Sequence, residues 1–165
     1  MDYPETIRRH LLAEEDRPCG PSDVTSLVEA FVAIDCEDHR VLDAYRDYPV
    51  LILTHNYLYN DGKQSEEGVR LEKEIISRHS NVRLLLCGHH KGIRRLDKTY
   101  EDGRVFTAIM YNLQLDRKKG AGYCTLLTFD PLTRSISFTS YSPYFDDYNY
   151  LDDPRKETFV LENAF

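Results

Sequence analysis

The 165-residue chain is 41% hydrophobic, enough for one globular domain with a real core. Its formal net charge of −7 and pI near 5.3 exclude a broad electrostatic grip on nucleic-acid phosphates, so nucleic acid is not an expected partner. No run approaches the roughly 18 apolar residues of a membrane span, and the N-terminal stretch lacks the basic start, apolar middle and cleavage site of a secretory signal; a soluble chain is expected, cytoplasmic or exported as part of a longer protein.

Residues 1–27 hold Pro4 and the Pro18-Cys19-Gly20-Pro21 break and read as a weakly specified arm, with at most a short helix near Glu5 to Ala13. The domain proper is expected over 28–165. AFVAID (30–35) reads as a buried strand and DHRVLDAYRD (38–47) as a helix, with Asp38 as N-cap and Val41, Leu42 and Tyr45 on one face. PVLILT (49–54) is apolar throughout, as a strand covered on both faces of a parallel sheet should be. After an Asn60-Asp61-Gly62 turn, a helix is predicted over 65–79 and a third strand at VRLLLC (82–87). Strand, helix, strand, helix, strand predicts an α/β first half with parallel strands.

Beyond Gly92 no helical pattern remains. RVFTAIMYN (104–112), GYCTLLTFD (122–130), SISFTSYSP (135–143) and ETFVLE (157–162) are rich in β-branched and aromatic residues, separated by turn signals such as Asp102-Gly103, Lys119-Gly120 and Asp130-Pro131. They predict a largely antiparallel second half. Cys19, Cys36, Cys87 and Cys124 form no CxxC pair, and Cys87 and Cys124, inside apolar runs, are expected to be small buried hydrophobes.

Two predicted parallel strands end in histidine: PVLILT runs into His55, and VRLLLC-Gly88 into His89 and His90. Sites in open α/β sheets form outside the carboxyl ends of strands, so neighbouring strands would bring His55 and His89 to one rim. Imidazole binds transition metals without first losing a proton from a cation, and Gly88 is expected to let the backbone turn sharply there. Each histidine alone is more simply a polar cap on a strand end; two together, with a glycine, favour a metal. Lys91, Arg94 and Arg95 follow, either as phosphate contacts, since guanidinium matches phosphate geometry, or as a solvated basic turn. Asn56 is expected to line the same mouth. His79 is accounted for by the end of its helix, His39 by the first turn of its own, and His10 by the arm.

These residues resemble a known family. A strand ending in Thr54-His55, a second ending in Gly88-His89-His90-Lys91-Gly92, and a following antiparallel sheet resemble the C-terminal half of the calcineurin-like metallophosphoesterases. TLLTFDPLTRSISFTSYSPYFDDY followed by ETFVLE is similar to the closing strands of bacterial, often cell-surface, members. The resemblance implies part of an α/β/β/α sandwich with a dinuclear centre of Mn, Fe or Zn, hydrolysing phosphomonoesters or phosphodiesters. By position His55 resembles the family's late histidine ligand and His89 the first histidine of its Gly-His-x-His motif, with His90 as the substitute for the second. That second position is Lys91, which does not ligate while protonated. The early motifs Asp-x-His, Gly-Asp-x-x-Asp and Gly-Asn-His-Asp/Glu are not found before His55; Asp35-Cys36-Glu37-Asp38-His39 has a different spacing. The resemblance therefore implies an incomplete dinuclear site in this chain. The alternative is a non-catalytic interaction or metal-binding module retaining the fold. Half a sandwich leaves an apolar sheet face and a strand edge exposed, so a homo-oligomer or a partner covering them is expected.

Overall fold

The computed structural model describes residues 31–32, 39–113 and 122–164. The N-terminal arm with His10 and Cys19, most of the first predicted strand, Cys36, the Asp38 cap and the Lys119-Gly120 turn lie outside them. The chain order is β1 (Phe31–Val32), α1 (His39–Ala44), β2 (Val50–Leu53), α2 (Glu66–Leu71) continuing into a π-helical turn (Glu72–Ile76), β3 (Val82–Cys87), β4 (Gly92–Thr99), β5 (Val105–Asn112), β6 (Cys124–Asp130), β7 (Ser135–Ser142), β8 (Asp147–Tyr148), a 3₁₀ turn (Pro154–Lys156) and β9 (Phe159–Leu161).

The first sheet has the order β1-β2-β3-β5-β4. β1, β2, β3 and β5 run parallel, and β4 folds back antiparallel along β5. The second sheet is antiparallel, with β7 between β6 on one side and β8 and β9 on the other. The protein is thus α/β, with a mainly parallel first sheet and an antiparallel second sheet; the stretch 104–112, expected in the antiparallel half, is instead β5 and joins the first sheet parallel to β3.

The continuous apolar strands have neighbours on both faces. Val50 and Ile52 of β2, Leu85 and Cys87 of β3, and Ala108 and Met110 of β5 pack with Leu42, Leu71, Ile75 and Ile76 from the helical layer. Leu51, Leu84 and Ile109 point the other way, onto Ile136, Phe138 and Leu161 of the second sheet. Fully burying each such side chain stabilises by about 1.5–3 kcal/mol, so these two seams hold the layers together. The described residues supply three layers of the expected sandwich: helices, first sheet, second sheet. The far face of the second sheet is exposed at Leu126 and Val160.

Three further expectations are corrected. The basic stretch after Gly92 is a strand rather than a turn: β4 survives as an edge because only Ile93 of its side chains is buried, and charged residues suit an exposed edge. Helix 65–79 is two pieces, since Glu72–Ile76 closes with π geometry and the helix stops at Ser77. Cys124 is exposed, because β6 has one open face and Cys124 lies on it, whereas Cys87 is buried as expected.

Candidate metal centre

The site is built where β2 and β3 end. The Thr54 N–H donates to the Leu86 carbonyl at 3.0 Å and the Gly88 N–H to the His55 carbonyl at 3.1 Å, so ladder pairing carries on past the strands and fixes both exits side by side. His55 Nε2 and His89 Nδ1 then lie 2.8 Å apart, with ring centroids at 4.6 Å and planes near perpendicular at 73°. One nitrogen carries a proton and donates to the other. Both side chains are exposed.

Gly88 does not make the sharp turn. The left-handed residues are His89, with φ 57°, and Gly92, with φ 115°. A non-glycine residue in that region stores about 1–3 kcal/mol of strain and persists only when its surroundings hold it. Here the hold comes from Asn112, at the end of β5, whose Nδ2 donates to the His89 carbonyl at 3.0 Å. Asn112 ends β5, the fourth parallel strand, so the strand-end rule that selects His55 and His89 reaches it once β5 is seen to run parallel beside β3.

The other expected site residues divide. His90 meets His89 edge to face at 4.6 Å and Tyr59 at 4.9 Å, which makes it part of an aromatic stack beside the pair. Asn56 gives one amide N–H to Glu67 at 2.8 Å, and its Oδ1 is buried with no hydrogen-bond partner among the described residues. Lys91 is exposed on the bend that follows. Arg94 is anchored on backbone, its Nε to the Asn60 carbonyl and Nη1 to the Ile93 carbonyl, both at 2.7 Å, so it holds the 60–62 turn in place. Arg95, on the opposite face of β4 by strand alternation, pairs with Asp97 at 2.9 Å and lies over the Phe159 ring toward the second sheet. The fold does not bring Arg95 to the histidines.

A metal fits the pair as two ligands of a larger set. Two nitrogens each ~2.1 Å from one ion, at about a right angle, lie roughly 3 Å apart, close to the His55–His89 separation. Two donors do not complete a coordination shell, and among the described residues no group of three or more His, Cys, Asp or Glu is placed to hold a metal.

A second imidazole pair was not legible in the sequence. His39 Nδ1 and His79 Nε2 are 2.8 Å apart, and Asp43 Oδ1 lies 3.6 Å from His79 Nδ1, tying α1 to the end of the π turn. Burial holds His79 below the ordinary imidazole range; Asp43 opposes that shift, and His39 and Arg78 add to it.

Fold and rim together define an α/β domain of two packed sheets that carries an imidazole pair at the carboxyl ends of its parallel strands. No family model matches the chain. Over 120 residues it is 32% identical to the uncharacterized protein YvnB of Bacillus subtilis (strain 168), an alignment that covers 69% of this chain and 9% of that protein. The chain spans only that small share of its relative's length.

Proposed function

We propose that the chain forms part of a metal-dependent phosphoesterase of the calcineurin-like type, with His55 and His89 as two ligands of a centre completed by residues outside those described. The observation that carries this reading is the 2.8 Å approach of His55 Nε2 to His89 Nδ1 at adjacent strand ends. Divalent ions bound there would clamp a phosphate ester and bring the pKa of bound water toward ~7. The chain's own part is to hold the two imidazoles. Asn112 fixes the His89 backbone, and paired backbone at Thr54 and Gly88 fixes the exits of both strands. His90, packed on Tyr59, shields one side of the pair, and exposed Lys91 offers a cation to the substrate phosphate.

The test is elemental analysis after incubation with manganese, iron or zinc and extensive desalting, on the chain and on His55→Ala/His89→Ala. Metal retained by the chain and lost from the double variant is expected. Equal retention by both, or none by either, rejects the reading. Hydrolysis of bis(p-nitrophenyl) phosphate by the metal-loaded chain, abolished by His89→Ala, would extend it from binding to turnover.

A further inference from the structure

At the opposite ends of the same strands, a cavity of about 230 Å³ opens where the chain enters β2 and β3 and where β6 turns into β7. Its walls include Arg46, Arg83 and Arg134, with Tyr48, Ser80 and Asn81 as further hydrogen-bonding groups. Asp47 is the one acid among the described residues of the lining. In a chain of net charge −7, three arginines around one hollow are not explained by composition.

Irregular backbone places two of the three. β2 and β3 pair Val50 with Val82 and then Leu51 with Leu84, so Arg83 is an extra residue with no counterpart on β2. Such bulges bend a strand and re-aim the side chain they carry. Arg134 sits in the left-handed region at φ 55°, a conformation L side chains seldom adopt, with its carbonyl accepting from the Ala164 N–H at 2.8 Å. The wall between them is rigid: Asn81 Nδ2 donates to the carbonyls of Leu42 at 3.3 Å and Tyr45 at 3.0 Å.

Arg83 is also under-satisfied. Among the described residues its Nε is buried without a hydrogen-bond partner, and its Nη2 donates to the Asn163 carbonyl at 3.4 Å. Burial disfavours its charge first, and the nearby cations of Arg104 and Arg134 add to that, with Asp102 opposing. A buried donor left unmade costs about 1–3 kcal/mol, more when charged, and an anion would remove both penalties at once.

We infer that this cavity binds a phosphate-type oxyanion, held by Arg83 and Arg134 from irregular backbone and by Arg46 from the exposed segment before β2. The volume lies below the roughly 300–1,000 Å³ of sites for larger organic ligands, which suits a single phosphate group. Guanidinium donates in a fork that matches such oxygens, which is why Arg rather than Lys suits each position.

The test titrates the full chain with inorganic phosphate at constant ionic strength, following heat of binding and the rise in Tm that a ligand of the native state produces. Saturable binding at one site is expected, with acetate failing to compete. Arg83→Gln and Arg134→Gln should each weaken it at least tenfold, Arg83→Lys should restore only part, and His55→Ala/His89→Ala should leave it unchanged. Arg46→Gln, on an exposed stretch, should weaken it severalfold with an unchanged circular dichroism spectrum, which separates a lost contact from a lost fold. Absence of saturable binding, binding indifferent to all three arginines, or binding lost in the histidine variant would overturn the inference.

Discussion

His55 and His89 meet ring to ring, Nε2 to Nδ1 at 2.8 Å, although 34 residues separate them in the chain. The contact depends on one strained residue, since His89 reaches His55 from a left-handed backbone at φ 57°. Removing the imidazole and removing the strain are therefore separable. His89→Ala keeps the strain, while His89→Gly relieves it at a position where glycine carries no Cβ penalty. We expect His89→Gly to be more stable than His89→Ala by about 1 kcal/mol, read from urea midpoints with equal m-values. Equal midpoints would show that the turn is not held in this conformation.

Glu72 is the hub of a buried polar network that joins the π turn to β4. Tyr57 Oη donates to its Oε2 at 2.9 Å, Lys98 Nζ and Tyr100 Oη donate to its Oε1, and Gln64 Nε2 donates to Tyr57 at 2.8 Å. Burial pushes the Glu72 carboxyl up, but the hydrogen bonds from Lys98, Tyr100 and Tyr57 outweigh it and hold the group below the usual carboxylate range. Tyr57 is fully buried, so Glu72→Ala strands its hydroxyl proton and should destabilise by about 3 kcal/mol. Lys98 has 44% of its side chain exposed, where solvent screens the ion pair, so Lys98→Met should cost less than about 1 kcal/mol. Equal losses for the two variants would assign the network's worth to the ion pair instead of the tyrosines.

What the sequence made legible follows from how each element is buried. β2 and β3 are readable because sheet faces packed on both sides demand unbroken apolar runs, and Val82–Cys87 has the bounds its residues suggest. β4 is not readable, since GIRRLDKT buries only Ile93 and spends Arg94 and Arg95 on opposite faces of an edge. The π turn is hidden because winding the helix more loosely at Glu72 leaves the spacing of Leu71, Ile75 and Ile76 compatible with an ordinary helix. At the rim, the strand-end rule finds His55 and His89; Asn112 is missed, because 104–112 reads as an antiparallel strand and only the register shows β5 parallel to β3. The rule does not say which turn residue takes positive φ, and Gly88 is the intuitive choice only until the register places His89 there.

Gly68 offers a sharper test of packing. It lies in the first turn of α2, where the Ser65 hydroxyl caps its N–H at 3.0 Å, and a Cβ built on it would sit 2.3 Å from the Tyr57 carbonyl oxygen. That carbonyl cannot swing aside without losing its hydrogen bond from the Ser65 N–H, at 2.9 Å. Alanine gains about 1 kcal/mol of helix propensity over glycine, yet a contact this short with backbone forces the helix off the chain that leads into it. Gly68→Ala should therefore destabilise by about 2 kcal/mol or more. Val69→Ala, at an exposed neighbouring position, should stay within about 0.5 kcal/mol of the parent. Thermal unfolding of the two variants side by side decides the matter; a stabilised Gly68→Ala would mean α2 does not press on Tyr57.

The His39–His79 pair gives the fold a pH dependence whose sign can be worked out. In the folded chain burial holds His79 below its ordinary value of 6.5, with Asp43 opposing and His39 and Arg78 reinforcing. Unfolded, the same imidazole takes up a proton as pH falls through ~6.5. In that window the unfolded state binds more protons than the folded one, so stability rises with pH. The contribution of His79 is fully present above ~6.5 and is lost as pH drops toward its lower folded pKa, at no more than ~1.4 kcal/mol per pH unit. His79→Gln removes the titrating group and keeps a donor for the His39 ring. The variant should lose less stability than the parent between about pH 7.5 and about pH 5.5; urea midpoints at both values measure it. An unchanged pH slope would remove the buried imidazole's contribution from the pH dependence, and with it the role of the Asp43–His79–His39 contact in tying α1 to the end of the π turn.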